Sequence, residues 1–310
     1  MTPHLGLHPR ERLALLFSFS AALTLGLTAC GDAEPKLAED AGMDAALDSG
    51  DDGGAAEPNF ALRFRAQAGD LPIRCDEPSP GFGLDGDRSA ELLDLRFYVH
   101  DVELGNADGE FVAAKIVDES PWQTLGVALV DLEDGAGECL NGTAQTRDVI
   151  TAVVPEGEYS AVRFTVGVPF ELNHMDVTLA PSPLNLTRLY WNWRGGYKFL
   201  RADLRTIAAG EEAPAPLMAH LGSTGCVSED AATAPEDECV NPNRATITLE
   251  GFDPESSVVV FDLAALFEGM ETSSCMSAPA DSTCRLPLTR LGLPFGEAPP
   301  AMTAFRLEDL

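Results

Sequence analysis

Leu93-Asp94-Leu95-Arg96-Phe97-Tyr98-Val99-His100 alternates with a period of two: Leu93, Leu95, Phe97 and Val99 fall on one side, Asp94, Arg96, Tyr98 and His100 on the other. That period is the signature of an extended strand with one apolar face. The same rhythm recurs in Phe60 to Arg65 and at Val162, Phe164, Val166 and Val168. Leu125 to Leu132, Val149 to Val154, Ala245 to Leu249 and Val258 to Phe261 are further strand candidates. Only Leu263 to Met270, with Asp262 as its N-cap, reads as a helix. Gly and Pro make 50 of 310 residues, and turn signals punctuate the chain. The expected fold is therefore mostly β, a single antiparallel β-sandwich-like domain with little helix and long loops at 206–244 and 271–300. His100, on the polar face of its strand, is expected at the surface.

The chain begins with Arg10 and Arg12, then an uncharged, mostly apolar run from Leu13 to Ala29, then Leu27-Thr28-Ala29-Cys30. This is the pattern of a lipoprotein signal peptide over residues 1–30, with lipidation expected at Cys30. Seventeen residues interrupted by Ser18, Ser20, Thr24 and Gly26 sit at the lower limit for a membrane span. The protein is expected in the periplasm or at the cell surface, lipid-anchored, and Gly31 after the cysteine favours the outer membrane. Residues 31–58 carry nine acidic side chains against Lys36, with no aromatic or β-branched residue. Such a segment cannot bury enough apolar surface to order itself and reads as a disordered acidic tether. The domain is then 59–310.

Of the chain's net charge of −30, the signal contributes +1 and the tether −8, leaving the domain at −23. A surface this acidic repels phosphate backbones, so nucleic acid and anionic lipid are poor partners and cations are favoured. Six cysteines follow Cys30: Cys75, Cys139, Cys226, Cys239, Cys275 and Cys284. An even number in an exported chain reads as three disulfides. Short loops favour Cys226–Cys239 and Cys275–Cys284, which leaves Cys75–Cys139. No CxxC exists to suggest a thiolate metal site or an attached haem.

Known catalytic and calcium motifs fail. Asp85-Gly86-Asp87 opens like an EF-hand loop, but Ala90 stands where glycine must turn and Arg96 where the bidentate glutamate belongs. There is no GxSxG, HExxH or GxxxxGK[ST]. Once the signal is removed, the histidines are His100, His174 and His220 only. The last two flank Trp191 to Arg201, WNWRGGYKFLR, which holds two of the three tryptophans.

Several strings occur in order: LRFYVHDVEL from Leu95, WQ at Trp122, LVDLEDGAGEC ending at Cys139, and VGVPFELNHMD from Val166. PLNL from Pro183, WNWRGGYKFLR from Trp191, HLGSTGC from His220, PNR from Pro242 and CMS from Cys275 follow. The succession resembles the MbnP family, the four-cysteine partner of the metallo-mystery pair, over roughly residues 60–306. The resemblance implies a periplasmic copper-binding protein that acts with a di-haem partner of the MauG and cytochrome c peroxidase type. It implies that Trp191, the first tryptophan of WxW, is oxidised to kynurenine and helps to hold Cu(I). Six cysteines instead of four is a departure that one extra disulfide would explain.

The residues supply a reason for such a modification. An indole nitrogen donates only and cannot ligate a metal, whereas kynurenine carries an aniline nitrogen and a ketone. With imidazoles it could complete a copper site. His174 and His220 are the expected histidine ligands, and His100 is a third candidate. Met175, Met218 and Met276 are possible thioether ligands. In strand geometry Trp191 and Trp193 would project to one face, and Asp176 would orient His174. Arg194, Lys198 and Arg201 are expected to pair with carboxylates. The chain itself is expected to catalyse nothing. Two other readings remain. One is a metal-free lipoprotein using Tyr190, Trp191 and Trp193 as a platform for a sugar or protein. The other is a zinc hydrolase built on His100, His174 and His220.

Overall fold

The structure, a computed structural model, describes residues 57–310. The signal at 1–30, the lipidated Cys30 and nearly all of the tether at 31–58 lie outside the described residues. Eleven principal strands follow in order. They are β1 (Phe60–Ala68), β2 (Arg88–Gly105), β3 (Val127–Asp131), β4 (Val149–Val153), β5 (Ala161–Val166) and β6 (Leu200–Ala208), then β7 (Ala215–Leu221), β8 (Ala245–Glu250), β9 (Ser257–Asp262), β10 (Ser273–Cys275) and β11 (Phe305–Asp309). One sheet runs β11–β9–β1–β4, and the other runs β8–β5–β2–β6–β7–β10 with β3 on the free edge of β2. Pairing is antiparallel except for β1 with β9 and β7 with β10.

The two sheets bury their facing sides against each other, giving the sandwich the alternation implied. Phe97 of β2 packs edge-on against Phe64 of β1 and Phe261 of β9, and Phe261 stacks on Phe305 of β11 at 4.6 Å. Each fully buried phenylalanine contributes on the order of 2 kcal/mol through the water it leaves. Helix α2 (Leu263–Phe267) starts where expected, because the Asp262 carboxylate accepts from the Ala265 N–H at 3.0 Å and satisfies an orphan donor of the first turn. The disulfides are Cys75–Cys139, Cys226–Cys239 and Cys275–Cys284.

Three expectations change. The segments read as long loops contain β7, β10 and a further helix α3 (Arg285–Arg290), and a one-turn helix α1 (Phe170–Asn173) follows β5. Periodicity missed them because short elements pinned by cysteine, proline and glycine need little amphipathic pattern of their own. Leu93 is not on the core face. It is the extra residue of a β-bulge between the Asp94–Asp203 and Leu92–Leu204 pairs, and Leu92 takes the inward position.

The third change matters most. The polar face of β2 is not wet, and His100 is not a surface histidine. Asp94 and Tyr98 are completely buried, and Arg96 and His100 are each 5% exposed. The segment between β5 and β6, residues 167–199, crosses over this face and excludes water from it. Tyr98 Oη donates to the Pro183 carbonyl at 3.0 Å, and the Tyr98 ring packs edge-on against Tyr197. Buried charge on this face is paired. Arg96 is bonded to Asp94, and Arg201 of β6 bridges Asp94 and Asp203.

Candidate functional site

The crossing segment carries Trp191 in a small hairpin, Tyr190–Asn192 paired with Gly196–Tyr197. The indole lies over β7 where the sequence supplies no side chain. A Cβ at Gly222 would stand 2.4 Å from Trp191 Cζ3 and 2.8 Å from Cη2. His220 is two residues before Gly222, so strand alternation puts it on the same face. Its Nε2–H donates to Asp203 Oδ1 at 2.7 Å. That bond fixes the tautomer and leaves Nδ1 bare, buried and without a hydrogen-bond partner among the described residues. Burial pushes the Asp203 carboxyl up, but the His220 hydrogen bond and the Arg201 charge outweigh it and hold it below the ordinary carboxylate range.

His174, just after α1, reaches the same region. Its Nδ1–H donates to the Trp193 carbonyl at 2.9 Å, so Nε2 carries the lone pair and accepts from Asn173 Nδ2 at 3.1 Å. Burial lowers its pKa, keeping the ring neutral and available as a ligand. Nε2 also lies 3.7 Å from Cys239 Sγ. Cys239's disulfide partner, Cys226, lines an open cleft of about 260 Å³ together with Trp191, Arg194, Ser223 and Met276. The β7–β10 ladder ends at Ala219 and Cys275, so His220 and Met276 are the next residues of its two strands. Trp191 and Met276 line that cleft, His174 reaches its edge through the Cys226–Cys239 bridge, and His220 stands two residues before the glycine under the indole.

Residues without an expected role hold this arrangement. Asn173 Oδ1 accepts from the Tyr197 N–H at the hairpin's end. Ser277 Oγ accepts from the Gly222 N–H at 3.0 Å and donates to the His220 carbonyl at 2.8 Å. Asn243 Nδ2 donates to the Gly222 carbonyl at 2.8 Å. Ser277 (φ 61°) and Asn243 (φ 52°) both sit in the left-handed region, costly for serine and tolerated by asparagine. Backbone strain thus gathers around the glycine that admits the indole. The strings PNR and CMS contain Asn243, Met276 and Ser277, so these residues were visible as oddities without a readable role.

Other candidates separate from the site. His100 lies four residues along β2 from Arg96, and Arg96 pairs with Arg201, which pairs with His220. Strand rise and spacing put His100 and His220 about 16 Å apart. His100 is instead beside Arg244 at Gly167, with both ring nitrogens lacking hydrogen bonds among the described residues; Asp101 Oδ2 is 2.9 Å from Nδ1 but off-angle. Trp193 does not share a strand face with Trp191, because it falls in the turn and meets the site through its carbonyl. Asp176 does not orient His174. Its carboxylate accepts from the Thr178 N–H and hydroxyl and caps its own turn. Tyr190 is engaged edge-on with Tyr197 at 5.0 Å, so it forms no flat platform with Trp191. Arg201 pairs with carboxylates as expected, Lys198 bonds the Arg188 carbonyl, and Arg194 has no ion pair among the described residues.

A sequence model of the MbnP family matches residues 57–280. The chain belongs to the MbnP family. The solved structure of MbnP from Methylosinus trichosporium is 27% identical and superposes with a TM-score of 0.69, covering 81% of this chain and 98% of that chain. No curated protein matches the chain.

Proposed function

We propose that this MbnP-family protein is a lipid-anchored copper binder of the periplasm or cell surface, not an enzyme. Trp191 is its latent ligand, oxidised to kynurenine by a di-haem partner of the MauG and cytochrome c peroxidase type. The observation that carries this reading is the seat of the Trp191 indole on Gly222, two residues along the same face from His220. The His220 Nε2 is held by Asp203, and its Nδ1 is buried and has no hydrogen-bond partner among the described residues. A buried polar atom with no partner is costly, on the order of 1–3 kcal/mol, and a metal would satisfy it.

The donor set fits a soft monovalent cation. His220 Nδ1 and His174 Nε2 are imidazole donors, Met276 offers a thioether, and imidazole and thioether both suit Cu(I). Kynurenine formation breaks the indole C2–C3 bond and adds two oxygen atoms, from one dioxygen or from two hydrogen peroxide molecules that leave as two waters. Hydrolysis then releases the formyl carbon as formate, leaving an aryl ketone and a free aniline nitrogen. Until then Trp191 contributes no lone pair. His174 would give up its Asn173 hydrogen bond to coordinate. The family relation supports the assignment of copper and of the haem partner. Copper is cargo in this reading, bound and held while the protein's own residues orient the donors.

The test is mass spectrometry of the Trp191 peptide from protein made with and without the haem partner. Conversion exchanges one carbon for one oxygen. Unmodified Trp191 in co-expressed, copper-loaded protein would overturn the reading.

A further inference from the structure

The Cys226–Cys239 disulfide differs from the other two. Of the six described cysteines only Cys226 is not buried, and it faces the open cleft. A dithiol could attack that sulfur while the remaining bridges stay sealed in the core, since thiol–disulfide exchange depends on access. Next to this bridge, His174 Nε2, Cys226 Sγ and Cys239 Sγ all lie within 4.8 Å of one another. His174 Nδ1–H is fixed on the Trp193 carbonyl, so the ring turns its lone pair to the sulfurs.

The two cysteines would not drift apart once reduced. Thr224 and Asn241 exchange backbone hydrogen bonds of 2.9 and 3.0 Å just inside the bridge, and Val240 N–H donates to the Gly225 carbonyl. This short ladder closes the loop without the disulfide. Ser223 Oγ donates to the Pro242 carbonyl and ties the same two segments one step further in.

We propose that Cys226, Cys239 and His174 form a second metal site that opens on reduction, binding one soft d10 cation through two thiolates and an imidazole. A cellular dithiol supplies two electrons and two protons: its own disulfide forms as Cys226–Cys239 breaks. Metal binding then displaces the two thiol protons. Two sulfur ligands and one nitrogen select Cu(I) or Zn(II) over hard cations. The site shares His174 with the copper reading above but needs no oxidised Trp191, so the two can fail separately.

The experiment uses protein made without the haem partner, with Trp191 intact, before and after a dithiol reductant. Peptide mapping shows which bridges have opened, and Cu(I) is titrated against a chromogenic chelator. Reduced protein is expected to take up one Cu(I) more than oxidised protein, with a thiolate-to-metal charge-transfer band. Bound metal should shield Cys226 and Cys239 from alkylation at least tenfold. C226S/C239S should lose this uptake. The proposal is overturned if mapped, reduced Cys226–Cys239 binds no additional metal. It is equally overturned if metal leaves both thiols fully open to alkylation, which is read on the natural chain whatever the variants do.

Discussion

Gly222→Ala isolates the contact on which the proposed site turns. Gly222 does not occupy the left-handed region, so alanine carries no backbone penalty there and the cost is steric. The new methyl would meet Trp191 Cζ3 at 2.4 Å and the Tyr197 carbonyl oxygen at 2.7 Å. Ordinary carbon contacts begin about 1 Å further out, so the indole must slide or the hairpin must lift. The ring can move, but the carbonyl belongs to backbone held by Asn173. Overpacking of this kind costs about 1–3 kcal/mol. In a domain of this size each kcal/mol moves Tm by about 2–4 °C, so a fall of about 5 °C is expected by calorimetry. Kynurenine yield on co-expression with the haem partner should fall in parallel, because the ring is displaced from its seat on Gly222. In a Trp191→Ala background the ring clash disappears and only the carbonyl contact remains. A coupling of about 0.5–3 kcal/mol between the two substitutions should therefore appear in a double-mutant cycle. If Gly222→Ala left both Tm and kynurenine yield unchanged, the packing of Trp191 on β7 would be wrong and the site with it.

Asp203→Asn should weaken Cu(I) binding about 10–100-fold in chelator competition, because His220 loses the charged acceptor that fixes its tautomer; unchanged affinity would remove His220 from the ligand set. Ser277→Ala leaves the Gly222 N–H and the His220 carbonyl without their buried partner, and urea unfolding should show a loss of about 2–4 kcal/mol. Burial pushes the Asp131 carboxyl up to about 7, with the nearby Arg96 charge opposing. The native state therefore binds a proton that the unfolded chain has released, and stability falls as pH rises from about 4 through 7. Asp131→Asn should accordingly stabilise the domain at pH 8 relative to pH 5 by about 3 kcal/mol, because the carboxyl loses its proton in the native state between those pH values while the unfolded chain has already lost it; an equal effect at both pH values would refute it.

The strand rhythm at Leu93 to His100 carried the architecture because an inward apolar residue at every second position (Leu95, Phe97, Val99) has few other uses. It misjudged the other face, since alternation reports which residues are polar and says nothing of what covers them. The cover here is residues 167–199, largely irregular backbone with no period to read, held by tyrosine hydroxyls on the Pro183 and Leu184 carbonyls. The same limit governs the site. Histidine and tryptophan announce themselves by rarity, so His174, His220 and Trp191 could be named from composition and family likeness. The groups that orient them could not. Asp203 is one aspartate among many, and its role comes only from a register that sets β6 beside β7. Asp176, close to His174 in sequence, was the natural choice for that task and serves its own turn instead. Adjacency along the chain is a poor guide to orientation in a β-sandwich, where the partner of a ligand lies across the sheet. Gly222 is the sharpest case: within HLGSTGC it reads as a turn residue, yet its task is to be absent, leaving room on β7 for one ring.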